Sequence, residues 1–407
     1  MFEATSHEHN LLARASLDHC LKCTICETHC PVMAVTPKFP GPKFVGPQAE
    51  RYRNGASVDH LIDYCSSCGT CTLVCPQGVM IAELNSAARA VMKKNHMPLR
   101  DQIISRTTLL GKTMRPIAPV ANAALGFAPA RWMVEKVIGI HRKAAMPTAR
   151  SRTFSSWWKK HTPAQAPTRG KVVFFHGCAG EYFEVETSIK TVEVLEHLGY
   201  EVVTPKQGCC GLALQSNGLF DTARSYVLKL ADQLGVEPGT PIVASAASCA
   251  GMLKHEAYEI MGVNDSSLLE VGARVREVSE FLLALAEAGE LPLSFDEVAM
   301  TVPYHAPCQL KGQGMGKPAL ELLRLIPGLK VIDAEATCCG IAGTYGLKKE
   351  KYAIGQAVGK PLFDKVKEVN PELAVCDTET CRWQIAAATG AEVVHPIWIL
   401  HKAYGLS

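Results

Sequence analysis

The chain has 407 residues, 17 cysteines and a formal net charge of +3 at pH 7. That length allows two or three domains, each with its own core, and excludes a small scaffold that needs disulfides to hold it together. An odd number of cysteines, clustered at short spacings, points instead to thiol ligands for metal in a reducing compartment.

Residues Met1–Asn10 carry Glu3 and Glu8 and contain no apolar run, so they do not read as a signal peptide, and the protein is expected to stay on the cytosolic side. The first motif follows. Cys20-x-x-Cys23-x-x-Cys26-x-x-x-Cys30-Pro31 is repeated as Cys65-x-x-Cys68-x-x-Cys71-x-x-x-Cys75-Pro76, and each run has the spacing of a bacterial two-cluster ferredoxin. Three closely spaced thiolates wrap three corners of one cube, and the fourth is carried past a turn by its proline to the neighbouring cube. Cys20, Cys23, Cys26 and Cys75 are therefore expected to hold one [4Fe-4S] cluster, and Cys65, Cys68, Cys71 and Cys30 the other. Zinc knuckles use ligands in pairs and leave the third cysteine and the proline unexplained. The linker Pro37-Lys38-Phe39-Pro40-Gly41-Pro42 should be irregular, and Leu84, Ala87, Ala88, Val91 and Met92 follow a helical period that predicts a core-facing helix. Residues 1–95 thus form an α-helical dicluster module.

Residues 96–170 contain no cysteine. From His96 through Lys171 there are fourteen Lys or Arg against two acids, Asp101 and Glu135, which leaves the remainder at 28 basic and 37 acidic. Such asymmetry predicts an anionic partner surface. The uncharged stretch Pro116–Ala130 is shorter than the ~20 residues of a spanning helix and is interrupted by Pro116, Pro119 and Pro129, so no transmembrane helix is expected. Trp132 beside Arg131, and Trp157-Trp158 beside Lys159-Lys160, suit a segment lying in the headgroup layer of an anionic membrane. The alternative is a basic linker packed against acidic partner subunits or the acidic remainder of the chain. No nucleic-acid-binding module accompanies the tryptophans, and nucleic acid is not an expected partner.

The remaining nine cysteines repeat at an offset of about 130 residues. One copy, 171–295, runs from Val172-Val173-Phe174-Phe175 through Cys178 to Cys209-Cys210-Gly211, then Ile242-Val243-Ala244 and Cys249. The second, 296–407, runs from Val302-Pro303-Tyr304 through Cys308 to Cys338-Cys339-Gly340, then Leu373-Ala374-Val375 and Cys381. Strand, cysteine, helix, strand, double cysteine, helix, strand, cysteine is an alternating order, so each copy is predicted to be a small α/β unit with its thiols at one sheet edge. The whole chain is then an α+β multidomain protein. Vicinal cysteines seldom bridge each other. Cys178, Cys209, Cys210 and Cys249 are expected to form one metal site and Cys308, Cys338, Cys339 and Cys381 another, with structural zinc or empty thiol clusters as alternatives. His176 and His305 precede the first cysteine of each copy, either capping a strand end or serving a cluster or quinone. Gly312-x-Gly314-x-Gly316 lacks the dinucleotide spacing and reads as a loop, so no flavin site is expected on this chain.

The pattern Cys…Cys-Cys-Gly…Cys resembles the CCG domain found in the B-subunit of heterodisulfide reductase. With the dicluster module, and with Gly41-Pro42-Lys43, Gly46-Pro47, Phe174-Phe175-His176-Gly177-Cys178 and Cys338-Cys339-Gly340-Ile341-Ala342-Gly343-Thr344-Tyr345-Gly346, the chain resembles the iron-sulfur subunits of anaerobic glycerol-3-phosphate dehydrogenase and glycolate oxidase. The resemblance implies one or two further iron-sulfur clusters, either non-cubane or cubane. Ala246 and Thr378 stand where the fullest form of the domain has a fifth cysteine, and Cys376 is either a substitute or a core thiol. It also implies an FAD-containing dehydrogenase subunit, an accessory subunit and menaquinone as partners, at the cytoplasmic side of the inner membrane. A 2-hydroxy-acid oxidase and a thiol-disulfide reductase are the alternative settings.

Overall fold

The computed structural model describes residues 11–48, 60–94 and 96–406, so the Met1–Asn10 stretch lies outside the described residues. Two parallel four-stranded sheets organise the C-terminal half. In the first, β1 (Lys171–Phe175), β2 (Glu201–Val203), β3 (Ile242–Ala244) and β4 (Val275–Glu277) lie in the order β2-β1-β3-β4. In the second, β5 (Met300–His305), β6 (Leu329–Asp333), β7 (Leu373–Cys376) and β8 (Glu392–Val394) repeat that order as β6-β5-β7-β8. The duplication seen in the cysteines is therefore a duplication of topology. A parallel sheet is covered on both faces, which is why Val172 to Phe175 form an unbroken apolar run with every side chain buried. The fourth strands, Val275–Glu277 and Glu392–Val394, are additional to the three strands per unit that the sequence predicts; each includes a charged residue and neither ends at a cysteine.

The two units share one core. Val172, Phe174, Val192 and Leu195 of the first pack in a single cluster with Tyr304, Leu322, Ile397 and Leu400 of the second. Helix Val185–His197 buries Val185, Ile189, Val192 and Leu195 at helical spacing on one face.

Helix Ile81–Lys93 forms as expected and buries Leu84 and Ala88, but Val91 turns outward. Besides Ile81, Ala82, Leu84 and Ala88, which pack in apolar clusters, the buried residues include Asn85, Ser86, Arg89 and Lys93, because part of the helix meets a polar network.

The basic segment is a clasp. Its helices Leu99–Ile104, Thr107–Met114, Ala118–Gly126 and Ala128–Val137 end in a loop fastened to the second unit. There His141 N–H donates to Leu347 C=O at 2.8 Å, Lys349 N–H donates to Gly139 C=O at 2.9 Å, and Arg100 makes a two-pronged pair with Glu350 at 2.8 Å. Trp157 and Trp158 do not reach out to an interface. They pack around Phe154 against the shared core, since helix Phe154–Trp158 is laid on it by a capping box at Thr153. Trp132 is the exposed one, at 49%. Among the described residues no helix is long and apolar enough to cross a membrane.

Candidate metal centres

All 17 cysteines are free thiols. In the N-terminal module, Thr24 (φ 66°) and Gly69 (φ 78°) adopt the left-handed conformation and start the one-turn helices Ile25–Thr28 and Thr70–Leu73, which carry Cys26 and Cys71. Lys22 (φ 60°) and Ser67 (φ 54°) are also left-handed. Non-glycine residues adopt that conformation only when the surroundings demand it, and here it folds backbone N–H groups toward sulfur. Ser67 N–H lies 3.4 Å from Cys65 Sγ, Met33 N–H 3.5 Å from Cys30 Sγ and Val79 N–H 3.4 Å from Cys75 Sγ.

Cys20, Cys23, Cys26 and Cys75 line one cavity with Pro76 and Lys43. Cys30 lies in the electrostatic field of Cys65 and Cys68, and Cys71 in that of Cys65, Cys68 and Cys30. The structure thus brings together the two crossed sets that the spacing predicts. Burial pushes the Cys26 thiol up to about 11 and the Cys30 thiol to about 12, so a bound cation is what would draw their protons off at neutral pH.

The cysteines of each sheet unit gather beyond the C-terminal ends of its first three strands. Cys178 and Cys209 have their Sγ atoms 3.5 Å apart, Cys210 and Cys249 3.4 Å, and Cys339 and Cys381 3.0 Å. In both units the first cysteine of the pair is the natural thiolate. Thiols of Cys178 and Cys210, together with Gly211 N–H, hold Cys209 well below its ordinary value, and Cys308, Cys339 and Gly340 N–H do the same for Cys338. Gly211 (φ 84°) and Gly340 (φ 81°) make the turn that aims those N–H groups.

Two features had no sequence signal. Thr107, in the basic segment, sets its Oγ1 3.0 Å from Cys178 Sγ and 3.7 Å from Cys209 Sγ. Cys68 of the dicluster module interacts electrostatically with Cys338 and Cys308, so the N-terminal module adjoins the second unit's thiols. Cys376 is fully buried at the end of β7, with its thiol against that of Cys381 and directed to Thr378 C=O at 3.9 Å. The histidines differ from each other: His176 is paired with Gly177 C=O at 2.8 Å, whereas neither ring nitrogen of His305 has a hydrogen-bond partner among the described residues.

A buried charge network lies behind Asp63–Cys65. Lys93 bridges Asp63 (2.7 Å) and Asp101 (2.9 Å), Lys348 pairs with Asp101 (2.8 Å), Lys351 with Asp63 (2.5 Å), and Arg89 donates to Cys65 C=O at 2.7 Å. With the Arg100–Glu350 pair, cations exceed carboxylates by two. Burial and mutual repulsion press Lys348 down to about 7 and Lys351 to about 8. That excess calls for a compensating anion, and a thiolate-ligated iron-sulfur group, whose four thiolates outweigh the charge of its core, supplies one beside Cys65. Soft sulfur donors in sets of four, the N–H groups turned toward them and this cation excess together fit iron-sulfur groups.

A dicluster module followed by two thiol-bearing α/β units defines the chain as an iron-sulfur protein. The model of the 4Fe-4S dicluster domain matches residues 16–79, and that of the cysteine-rich domain matches 172–254 and 302–386. The C-subunit of anaerobic glycerol-3-phosphate dehydrogenase from Escherichia coli (strain K12) is 36% identical over 396 residues, covering 95% of this chain and 98% of the relative. The glycolate oxidase iron-sulfur subunit of the same organism is 28% identical over 417 residues (97% and 95%). The D-subunit of the dihydromethanophenazine:CoB–CoM heterodisulfide reductase from Methanosarcina barkeri is 21% identical over 428 residues (96% and 95%). The chain belongs to the family of anaerobic glycerol-3-phosphate dehydrogenase C-subunits, iron-sulfur proteins that work with partner subunits.

Proposed function

We propose that this chain takes electrons from an FAD-containing partner that oxidises sn-glycerol 3-phosphate, with an accessory subunit, and passes them to menaquinone while bound peripherally to the cytoplasmic face of the inner membrane. The flavin belongs to the partner. Cys20, Cys23, Cys26 and Cys75 hold one [4Fe-4S] group, and Cys65, Cys68, Cys71 and Cys30 a second. Cys178, Cys209, Cys210 and Cys249 hold a third group and Cys308, Cys338, Cys339 and Cys381 a fourth. These groups supply one-electron transfer.

The observation that carries this reading is the continuity of the thiol sets. Cys23 and the neighbouring Leu21 are exposed, which suits an entry surface for a partner, and Cys68 interacts electrostatically with Cys308 and Cys338 of the second unit. From there helix Glu379–Thr389 runs from Cys381 to Ala387, a rise of about 9 Å. Ala387 lines a cavity of about 550 Å³ with Leu125, Ala128, Arg131, Ala145 and Met146. Ala145 also packs in one core with Cys339 and Cys381.

The membrane reading rests on the hairpin over that cavity. Ile117, Val120, Phe127, Trp132, Met133 and Val137 are all exposed on helices Ala118–Gly126 and Ala128–Val137 or just before them. Both acids of the segment are engaged internally, Asp101 by buried lysines and Glu135 by Arg142 at 3.5 Å. Exposed apolar side chains beside an excess of basic ones suit an anionic leaflet, and an isoprenoid quinone would reach the cavity from it.

The test is glycerol 3-phosphate oxidation by the complete complex, reconstituted with anionic vesicles containing a menaquinone, with lactate and glycolate as comparison substrates. Quinone reduction driven by glycerol 3-phosphate, reduced at least tenfold by F127E combined with V137E, is expected. Turnover on lactate or glycolate alone would move the chain to the 2-hydroxy-acid setting, and thiol-disulfide turnover without quinone to the reductase one.

A further inference from the structure

The two cysteine-rich units share one plan, so equivalent positions act as controls for each other. His176 follows β1 and His305 ends β5, each just before the first cysteine of its unit. His176 is accounted for: Nδ1 pairs with Gly177 C=O at 2.8 Å, and Nε2 faces Glu181 at 4.0 Å. His305 is 2% exposed, and neither of its nitrogens has a hydrogen-bond partner among the described residues. Each unpaired buried donor or acceptor carries a desolvation cost that a folded core rarely tolerates without a reason.

The position of the ring supplies the reason. A nitrogen of His305 and the sulfurs of Cys339 and Cys381 all lie within 4.8 Å of one another, and among the described residues no other group of His, Cys, Asp or Glu converges in this way. Thr378, at the start of the helix that carries Cys381, has a buried hydroxyl that is unpaired among the described residues. We propose that His305 is a nitrogen ligand of the metal centre in the second cysteine-rich unit, beside Cys308, Cys338, Cys339 and Cys381, whereas the centre of the first unit is bound by sulfur alone. This inference rests on the reading that the second unit holds an iron-sulfur group.

The consequence is electrochemical. Compared with a thiolate at the same position, a neutral imidazole leaves the cluster one negative charge fewer and its potential higher, as in Rieske centres.

The test uses the full chain, purified anaerobically, with natural-abundance and 15N-labelled histidine, read by pulsed EPR. A directly bound histidine nitrogen gives a strong hyperfine coupling that changes with the isotope. That coupling is expected in the wild type and in H176A, and lost in H305A and H305C. H305C should keep its iron, because it restores a sulfur ligand, and should titrate at a lower potential. If H305A folds poorly, H305C still decides the question. A wild type with iron in the second unit but only weak couplings, or a strong coupling that survives in H305C, overturns the inference while leaving the iron-sulfur reading intact. A C381S variant with the same iron and sulfide content as the wild type overturns both.

Discussion

The two Cys-Cys-Gly turns look interchangeable in sequence, yet they should differ sharply in their tolerance of a methyl group. Gly211 and Gly340 have nearly the same φ, 84° and 81°. Alanine at either position therefore carries the same left-handed penalty, about 1–2 kcal/mol. What differs is what the new Cβ meets. At Gly211 the nearest atoms are Ala223 O at 3.1 Å and Ala223 Cα at 3.3 Å, contacts that a small shift relieves. At Gly340 the Cβ would lie 1.8 Å from Gly355 O and 2.7 Å from Gly355 C, backbone atoms of helix Tyr352–Val369 that have no rotamer to escape into. Prising that helix away adds an overpacking cost of about 1–3 kcal/mol or more. G340A should therefore lose about 2–5 kcal/mol and G211A about 1–2 kcal/mol. G355A separates the two causes: its position is helical and carries no φ penalty, but its Cβ would come within 2.6 Å of Gly340 O. Anaerobic denaturant unfolding, with iron content and proteolytic nicking of the second unit measured alongside, reads all three. Equal losses for G340A and G211A, or a neutral G355A, would refute the reasoning.

Three further outcomes follow from the same structure. C75A should remove the EPR signal of the group bound by Cys20, Cys23 and Cys26 and spare the other, with C30A doing the reverse; loss of the signal from the mutated residue's own run would show that the sets are not crossed. K351M deletes a buried cation behind Asp63–Cys65 and should lower the midpoint potential of the adjacent group by on the order of 50 mV, seen in a redox titration, with no change expected for a surface substitution such as K365M. Burial raises the Glu277 carboxyl from 4.5 to about 7, so the folded state keeps its proton where the unfolded state has lost it. Stability from this residue is complete below about pH 4.5 and declines until about pH 7, a loss of about 3 kcal/mol; E277Q should flatten that slope in denaturant unfolding followed across the range.

Local chemistry was legible in the chain itself. A ferredoxin ligand set depends on cysteines two and three residues apart with a proline behind them, so the two crossed sets are read from spacing alone; the structure places Cys75 beside Cys20, Cys23 and Cys26, and Cys30 in the field of Cys65 and Cys68. The duplicated strand–cysteine order was legible for the same reason, because β1, β3, β5 and β7 are apolar runs that end near thiols. Only the tertiary structure could decide what depends on distant residues. The basic segment gave its composition away but not its use: Arg100 and His141 turn it into a clasp on the second unit, and Thr107 reaches the first unit's thiols. The period of helix Ile81–Lys93 marked Val91 as core, whereas the buried face is the one that carries Arg89 and Lys93 to a charge network assembled from three parts of the chain. His176 and His305 are alike in sequence and unlike in space. Spacing along a chain encodes the ligands that one loop can bring to one metal, whereas a partnerless imidazole, a surplus of buried cations and the approach of Cys68 to Cys338 exist only when remote segments share a site and water is excluded from it.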